Sequence, residues 1–307
     1  MADRFAIAQV APHPLEDAND VGRFAAEVSR ELAGRGHRVL LLAPSRSPKL
    51  VRESRKLIRA ARDRPETLFD PNGDVRVLGV GELLFASRRK GVNPAPPVDI
   101  ARTIEQVLTV APLDFVHVHE PWAPSASSVA LRHSRALNVG SFHHPVERVL
   151  STQVARRFVE LFFGRLDART ASYEATAELL NRYFPAKYQL LRPGVALQER
   201  VTRPGPLRIA YSDREERAAL RLFLRALRRL PEDLEWEAVV YSKTGIPTLR
   251  SSLRHRVHVV DDESEAFAGA DVVVAASLGQ DTAPGVLMRA LEAGAVPLAA
   301  RVPVYEE

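Results

Sequence analysis

"RFAIAQVAPHPLEDANDVGRFAAEVSRELAGRGHRVLLLAP" (residues 4–44) holds two apolar runs separated by one amphipathic segment. Residues 4–12 read as a buried strand. Residues 20–36 read as a helix, because Val21, Phe24, Val28 and Leu32 recur at helical spacing and Gly36 can stop it. Residues 37–44 form the next strand, bounded by Pro44. Strand, helix and strand joined by short connections specify a parallel sheet covered by helices.

The same alternation continues outward. Further strands are expected at 74–80, 114–120, 138–144, 168–173 and 188–193, with helices at about 49–64, 123–137 and 153–167. The pattern weakens before residue 100, where "PNG" and "NPAPP" mark turns. Around 195–207 polar, proline and glycine residues interrupt the periodicity, and then alternation restarts. Strands are expected at 207–212, 236–242, 255–261, 271–277 and 295–301. Asp213 is placed to cap a helix over 214–230, whose apolar stripe is Leu220, Phe223, Leu224 and Leu227. The expected architecture is α/β: two facing Rossmann-like domains with parallel sheets, 1–196 and 207–307, joined by a linker at 197–206. No strand or closing helix is legible after "VPVYEE" (302–307), so the second domain reads as truncated.

Composition narrows the function classes. With 307 residues there is room for two cores. The absence of cysteine excludes disulfides, a thiolate nucleophile and cysteine-ligated zinc. Apolar runs fall far short of the roughly 20 residues of a membrane span, and "MADRFAIAQVAP" lacks the form of a secretory signal. A cytoplasmic location is therefore the expectation by default. The net charge of +5 is concentrated in 49–64, "KLVRESRKLIRAARDR". As a helix this segment sets a basic face above Leu50, Val51, Leu57, Ile58 and Ala61. A solvated surface helix is the plain reading, and peripheral docking on an anionic membrane surface the sharper one. Nothing in the sequence points to nucleic-acid recognition.

In open parallel sheets ligands sit beyond the carboxyl ends of the strands. That rule nominates Asn19 and Asp20, Glu120, the pair His143 and His144, the group Asp213, Arg214 and Arg217, and the segment Asp281 to Gly285. Each has a plainer alternative. His117 inside "FVHVH" reads as a hydrogen-bonded core residue, and His119 is ambiguous for the same reason. Trp122 reads as packing, and Arg214, Glu215 and Arg217 can be solvated first-turn charges. Two adjacent histidines without a third ligand at a recognised spacing do not make a metal site, so no metal is expected.

"HVHEPWAPS" (117–125), "GSFHHP" (140–145), "ADVVVAAS" (270–277) and "APGVLMRALEAGAVPLAARVP" (283–303) resemble segments of retaining GT-B glycosyltransferases, in particular the bacterial group that includes phosphatidylinositol mannosyltransferases. The resemblance implies hexose transfer from a nucleoside diphosphate sugar with retained configuration, and no added cofactor. It implies that His143 lines the sugar pocket, that Arg217 holds diphosphate, and that Asp281, with the backbones of Thr282 and Gly285, meets the donor. Asn19, Asp20, Glu120 and His144 would line the acceptor or cleft side.

The departures from that pattern are specific. Asn19-Asp20 stand where the family has a glycine pair, and Tyr211 stands where it has an arginine. Asp281 replaces its first glutamate, Pro284 a glycine, and Arg289 its second glutamate. An arginine cannot accept a hydrogen bond from a ribose hydroxyl. Helical spacing puts Leu287, Ala290, Leu291 and Gly294 on the buried face and turns Arg289 toward cleft or solvent. Arg289 then reads either as a new phosphate contact or as the mark of a dismantled donor site. The second alternative is a non-catalytic glycosyltransferase-like protein that binds or stabilises a partner.

Overall fold

A computed structural model describes residues 4–17, 19–81, 98–122, 124–143, 150, 163–197, 204–246 and 248–307. The chain divides into two compact units, Met1–Arg192 and Pro193–Glu307. His144 and most of the helix expected at 153–167 lie outside the described residues.

The first unit is a seven-stranded parallel sheet: β1 (Ala6–Val10), β2 (Arg38–Ala43), β3 (Arg76–Gly79), β4 (Phe115–His119), β5 (Leu137–Phe142), β6 (Ala168–Ala171) and β7 (Gln189–Leu190), in the order β3-β2-β1-β4-β5-β6-β7. Every residue of β1 is buried, as a strand covered on both faces requires. Helix α1 (Asp20–Gly34) buries Val21, Phe24, Ala25 and Ser29. It ends as the sequence predicts: Gly36, at φ 91°, donates to Ala33 O at 2.8 Å while His37 donates to Leu32 O at 3.1 Å. Helix α2 (Pro48–Ala60) buries Val51, Ser54 and Ile58 under its basic face. Helix α3 (Val98–Val110), which the sequence reading did not single out, buries Ile100, Ile104, Val107 and Leu108. A 3-10 turn at Pro65–Leu68 and helices α4 (Ala126–His133) and α5 (Glu174–Tyr183) also belong to this unit.

The second unit repeats the plan with five parallel strands: β8 (Leu207–Ser212), β9 (Trp236–Tyr241), β10 (Val257–Val260), β11 (Val272–Ala275) and β12 (Val296–Ala299), in the order β10-β9-β8-β11-β12. Helix α6 (Arg217–Leu227) buries Ala219, Leu220, Phe223 and Leu227. It begins three residues later than expected. Asp213 does not cap it; its carboxylate accepts the Ser242 hydroxyl at 2.7 Å, and the N-cap is Glu216. The short helices α7 (Ser251–Arg254) and α8 (Glu263–Phe267), then α9 (Pro284–Glu292) and α10 (Pro303–Glu306), follow. The buried residues of α9 are Pro284, Gly285, Val286 and Ala290. Its buried stripe is thus rotated from the expected Leu287–Leu291 face, because Val286 and Ala290, with Ala283 before them, are the residues that enter the core.

In each sheet the strand order reverses once, between β1 and β4 in the first unit and between β8 and β11 in the second. Among the described residues, no helix is long and apolar enough to cross a membrane.

Candidate functional site

At the reversal point of the first unit, β4 ends in a buried cluster. The His119 Nε2 faces Gln9 Oε1 at 2.8 Å, its Nδ1 faces His143 Nε2 at 3.2 Å, and His143 Nδ1 faces the Ser172 hydroxyl at 2.8 Å. With Gln9 Oε1 toward His119, His119 donates from Nε2. Burial, with His117 and His143 close by, holds His119 well below the ordinary histidine range. His117 is the hydrogen-bonded core residue the sequence predicts, 2.6 Å from Ser141 Oγ, and burial lowers its pKa to about 4.

Glu120 closes the cluster. It is the one non-glycine residue at positive φ among those described, with φ 45°, a conformation that concentrates at functional sites. Its carboxylate accepts the His143 backbone N–H at 2.6 Å and the Trp122 indole N–H. Trp122 is packing, as expected, against Phe142, Phe163 and Phe184. Asn19 is the N-cap of α1: its side chain accepts from Gly22 N at 2.7 Å and donates to Asp17 O at 2.9 Å. Asp20 occupies the first turn of that helix. Gln9, Ser172 and Thr176, whose hydroxyl donates to His143 O at 2.7 Å, were not legible as site residues because nothing about a lone polar residue reports its neighbour across a sheet.

At the reversal point of the second unit, two adjacent glutamates reach across from the end of β8 to the segment after β11. The Glu215 carboxylate accepts from Ala276 N at 2.8 Å, from Ser277 N at 3.0 Å and from the Tyr305 hydroxyl. Glu216 accepts from Leu278 N, from the Ser277 hydroxyl at 2.8 Å and from Asp281 N at 3.3 Å. Ser277 Oγ accepts from Gly279 N at 3.0 Å and the Tyr305 hydroxyl from Ala283 N at 2.9 Å. Six backbone donors between 276 and 283 thereby converge on this chain's own oxygens. Burial raises the Glu215 carboxyl above its ordinary value, against the lowering pull of Tyr305, Ala276 and Ser277.

Beside them lies an ion-pair cluster. Glu263 accepts from the Ser212 hydroxyl, meets Arg214 at 2.8 Å and meets Arg289 Nε at 2.8 Å. The Arg289 side chain is 14% exposed and that of Glu263 8%. Arg289 is therefore paired with Glu263 and largely withdrawn from open solvent, which was one of the two orientations expected from the sequence. Placed three residues after Val286, it flanks the buried stripe and is carried onto Glu263. Tyr211 is buried in the core and stacks on Phe223 at 4.7 Å. Arg217 is exposed at the start of α6, Asp281 is exposed, Thr282 is half-buried and Gly285 is buried. The structure thus brings Asp281 and Glu216 together, while the exposed Arg217 is not one of the partners of Glu263, which are Ser212, Arg214 and Arg289. Sequence reasoning passed over Glu216, Glu263 and Tyr305. The adjacent acids at a strand end were the one available signal. Among the described residues, no group of three or more His, Asp or Glu is arranged to hold a metal ion.

The family described as Glycosyltransferase Family 4 matches residues 21–199. A phosphatidyl-myo-inositol mannosyltransferase of Propionibacterium freudenreichii subsp. shermanii is 25% identical over 311 residues, covering 96% of this chain and 77% of that protein. A glycosyltransferase from Rickettsia africae ESF-5 has a similar structure, with TM-score 0.60, 16% identity and coverage of 98% of this chain and 80% of that one. So does the catalytic domain of starch synthase IV from Arabidopsis thaliana, bound to ADP and acarbose, with TM-score 0.60, 11% identity and coverage of 97% and 83%. At these identities the structural likeness shows the fold, which is that of GT-B glycosyltransferases.

Proposed function

Because the chain belongs to glycosyltransferase family 4, we propose that it transfers a hexose from a nucleoside diphosphate sugar, with retention at the anomeric carbon. The observation that carries this reading is the 276–283 segment at the reversal point of the second unit. Its clustered N–H donors already hold carboxylates, so the segment is built to hold negative charge. A leaving diphosphate is the anion that the reaction would present there. The ADP seen with starch synthase IV is of the same chemical class.

In this account Asp281 and the backbones of Thr282 and Gly285 meet the donor, and Arg217 supplies an exposed positive charge near the diphosphate. Arg289 serves through Glu263, which it holds in place together with Arg214. His143 lines the sugar pocket, oriented by His119, Ser172 and Glu120. Asn19, Asp20, Glu120 and His144 belong to the acceptor side. No added cofactor or metal enters the scheme.

The acceptor class we favour is a lipid. The relative named above is a phosphatidyl-myo-inositol mannosyltransferase. In the first unit Arg52, Arg55, Lys56, Arg59 and Arg62 line a surface groove with Arg102 of α3, and Asp99 is the acid among them. That face suits the surface of an anionic membrane.

The same N–H segment also supports a second reading. Its donors are satisfied internally and Tyr211 is sealed in the core, as expected of a protein that keeps the fold and binds a partner instead of a donor. Calorimetric titration with UDP, GDP and ADP and their hexose conjugates separates the two. Saturable binding of one nucleotide and its conjugate supports transfer. Silence toward all of them favours the non-catalytic partner.

A further inference from the structure

Resting on the donor reading above, we infer that Glu216 is an affinity-determining residue, an internal anion that holds the diphosphate place and must leave it when a donor binds. The two glutamates differ in what holds them. Glu215 is 7% exposed, and its carboxylate is fixed by two backbone N–H groups and the Tyr305 hydroxyl. Glu216 is half-buried, and the backbone donors it holds belong to Leu278 and Asp281, both exposed. Leu278 is 59% exposed, so an incoming anion can reach this end of the segment. Glu215 is the fixed strut and Glu216 the displaceable one.

A carboxylate and a phosphate oxygen make the same demand on a backbone N–H: each accepts a charge-assisted hydrogen bond. They cannot share these donors, since two anions within a few ångströms repel each other strongly. A diphosphate therefore displaces the Glu216 carboxylate from Leu278 N, Asp281 N and the Ser277 hydroxyl. The displaced side chain has another berth. Glu216 is the N-cap residue of α6, an 11-residue helix without a side-chain cap, and a carboxylate is favoured at that end. The exchange moves one negative charge from the segment to the helix start and leaves Glu215 in place.

Titration of the full chain with inorganic pyrophosphate, and with the nucleoside diphosphate that the wild type binds best, tests the inference. Glu216→Ala is expected to bind both at least about tenfold more tightly, and Glu216→Gln, which keeps the shape but loses the charge, to fall between. Amide exchange locates the event: Leu278 and Asp281 should exchange faster in Glu216→Ala and be protected again by pyrophosphate. Equal nucleotide affinity in wild type and both variants would overturn the inference and leave the donor reading standing. Failure of all three proteins to bind either probe would overturn both. Binding of pyrophosphate without protection of Leu278 and Asp281 would place the anion elsewhere and also overturn the inference. If Glu216→Ala loses its near-ultraviolet circular dichroism, Glu216→Gln decides on the same criteria.

Discussion

Oε1 of Glu120 accepts the backbone N–H of His143 at 2.6 Å and so ties the carboxyl end of β4 to that of β5. The tie is made from a strained backbone, at φ 45°. Two costs can therefore be separated by mutation. Glu120→Ala loses the charge-assisted bonds to His143 and Trp122 but keeps the strain, and should destabilise the first unit by about 3 kcal/mol. Glu120→Gly loses the same bonds and relieves the strain, and should be about 1 kcal/mol more stable than the alanine variant. Urea denaturation of both proteins reads the difference, and an alanine variant as stable as the glycine one would refute the strain.

The buried histidines make stability depend on pH in a stated direction. His117 is held at about 4 by burial, below its unfolded value of about 6.5. Between those values the unfolded chain binds a proton that the folded chain refuses, so stability rises with pH through that window and is lost as pH falls. The span corresponds to about 3 kcal/mol for His117. His119, shifted in the same direction, steepens the slope. In His117→Gln the slope between pH 4.5 and 6.5 should fall by about one proton. An unchanged slope, measured by denaturant titration at each pH, would mean that His117 is protonated in the folded state.

Arg289 tests the ion-pair cluster of the second unit. Arg289→Met leaves Glu263 with Arg214 and Ser212 and should cost about 1–2 kcal/mol. Arg289→Glu sets a second carboxylate against Glu263 and should cost about 3–5 kcal/mol. The glutamate at this position, which the family pattern would favour, is therefore expected to unsettle the unit unless Glu263 is changed with it. Thermal denaturation of the single variants and of Arg289→Glu combined with Glu263→Gln checks this, and equal melting temperatures for Arg289→Glu and Arg289→Met would contradict it.

The basic face of α2 gives a prediction at the membrane. A basic side chain near an anionic surface contributes about 1 kcal/mol. Replacing Arg52, Arg55, Lys56 and Arg59 together by glutamine should weaken sedimentation with phosphatidylserine-containing vesicles by about a hundredfold or more. Binding that survives this change would remove α2 from the membrane-docking account.

Much of this molecule was legible in its sequence because strand and helix carry different periods. The buried run Ala6–Val10 and the Gly36 stop are visible as local patterns, and the twelve strands among the described residues all overlap segments read as strands. Helix α3 was not singled out. Its spacing of Ile100, Ile104 and Val107 is clear, but it follows directly on the proline-rich turn signals of a stretch whose periodicity is weak. For α9 the period was right and the phase wrong. One residue of rotation moves the stripe from Leu287 to Val286 and carries Arg289 onto Glu263, and local sequence does not hold that phase because the neighbouring sheet sets it. The site divides the same way. Its strand-end residues follow from topology, whereas Glu216 against Leu278 and Asp281 spans about sixty residues of chain and only the folded structure joins them.

The most direct test is turnover. Wild-type protein is incubated with UDP-, GDP- and ADP-hexoses and vesicles containing anionic phospholipid, and free nucleoside diphosphate and glycosylated lipid are measured together. The account predicts equimolar release and transfer from one donor, with the product's anomeric configuration matching that donor's. No release and no product from any donor, in wild type and in Glu216→Ala alike, would contradict it.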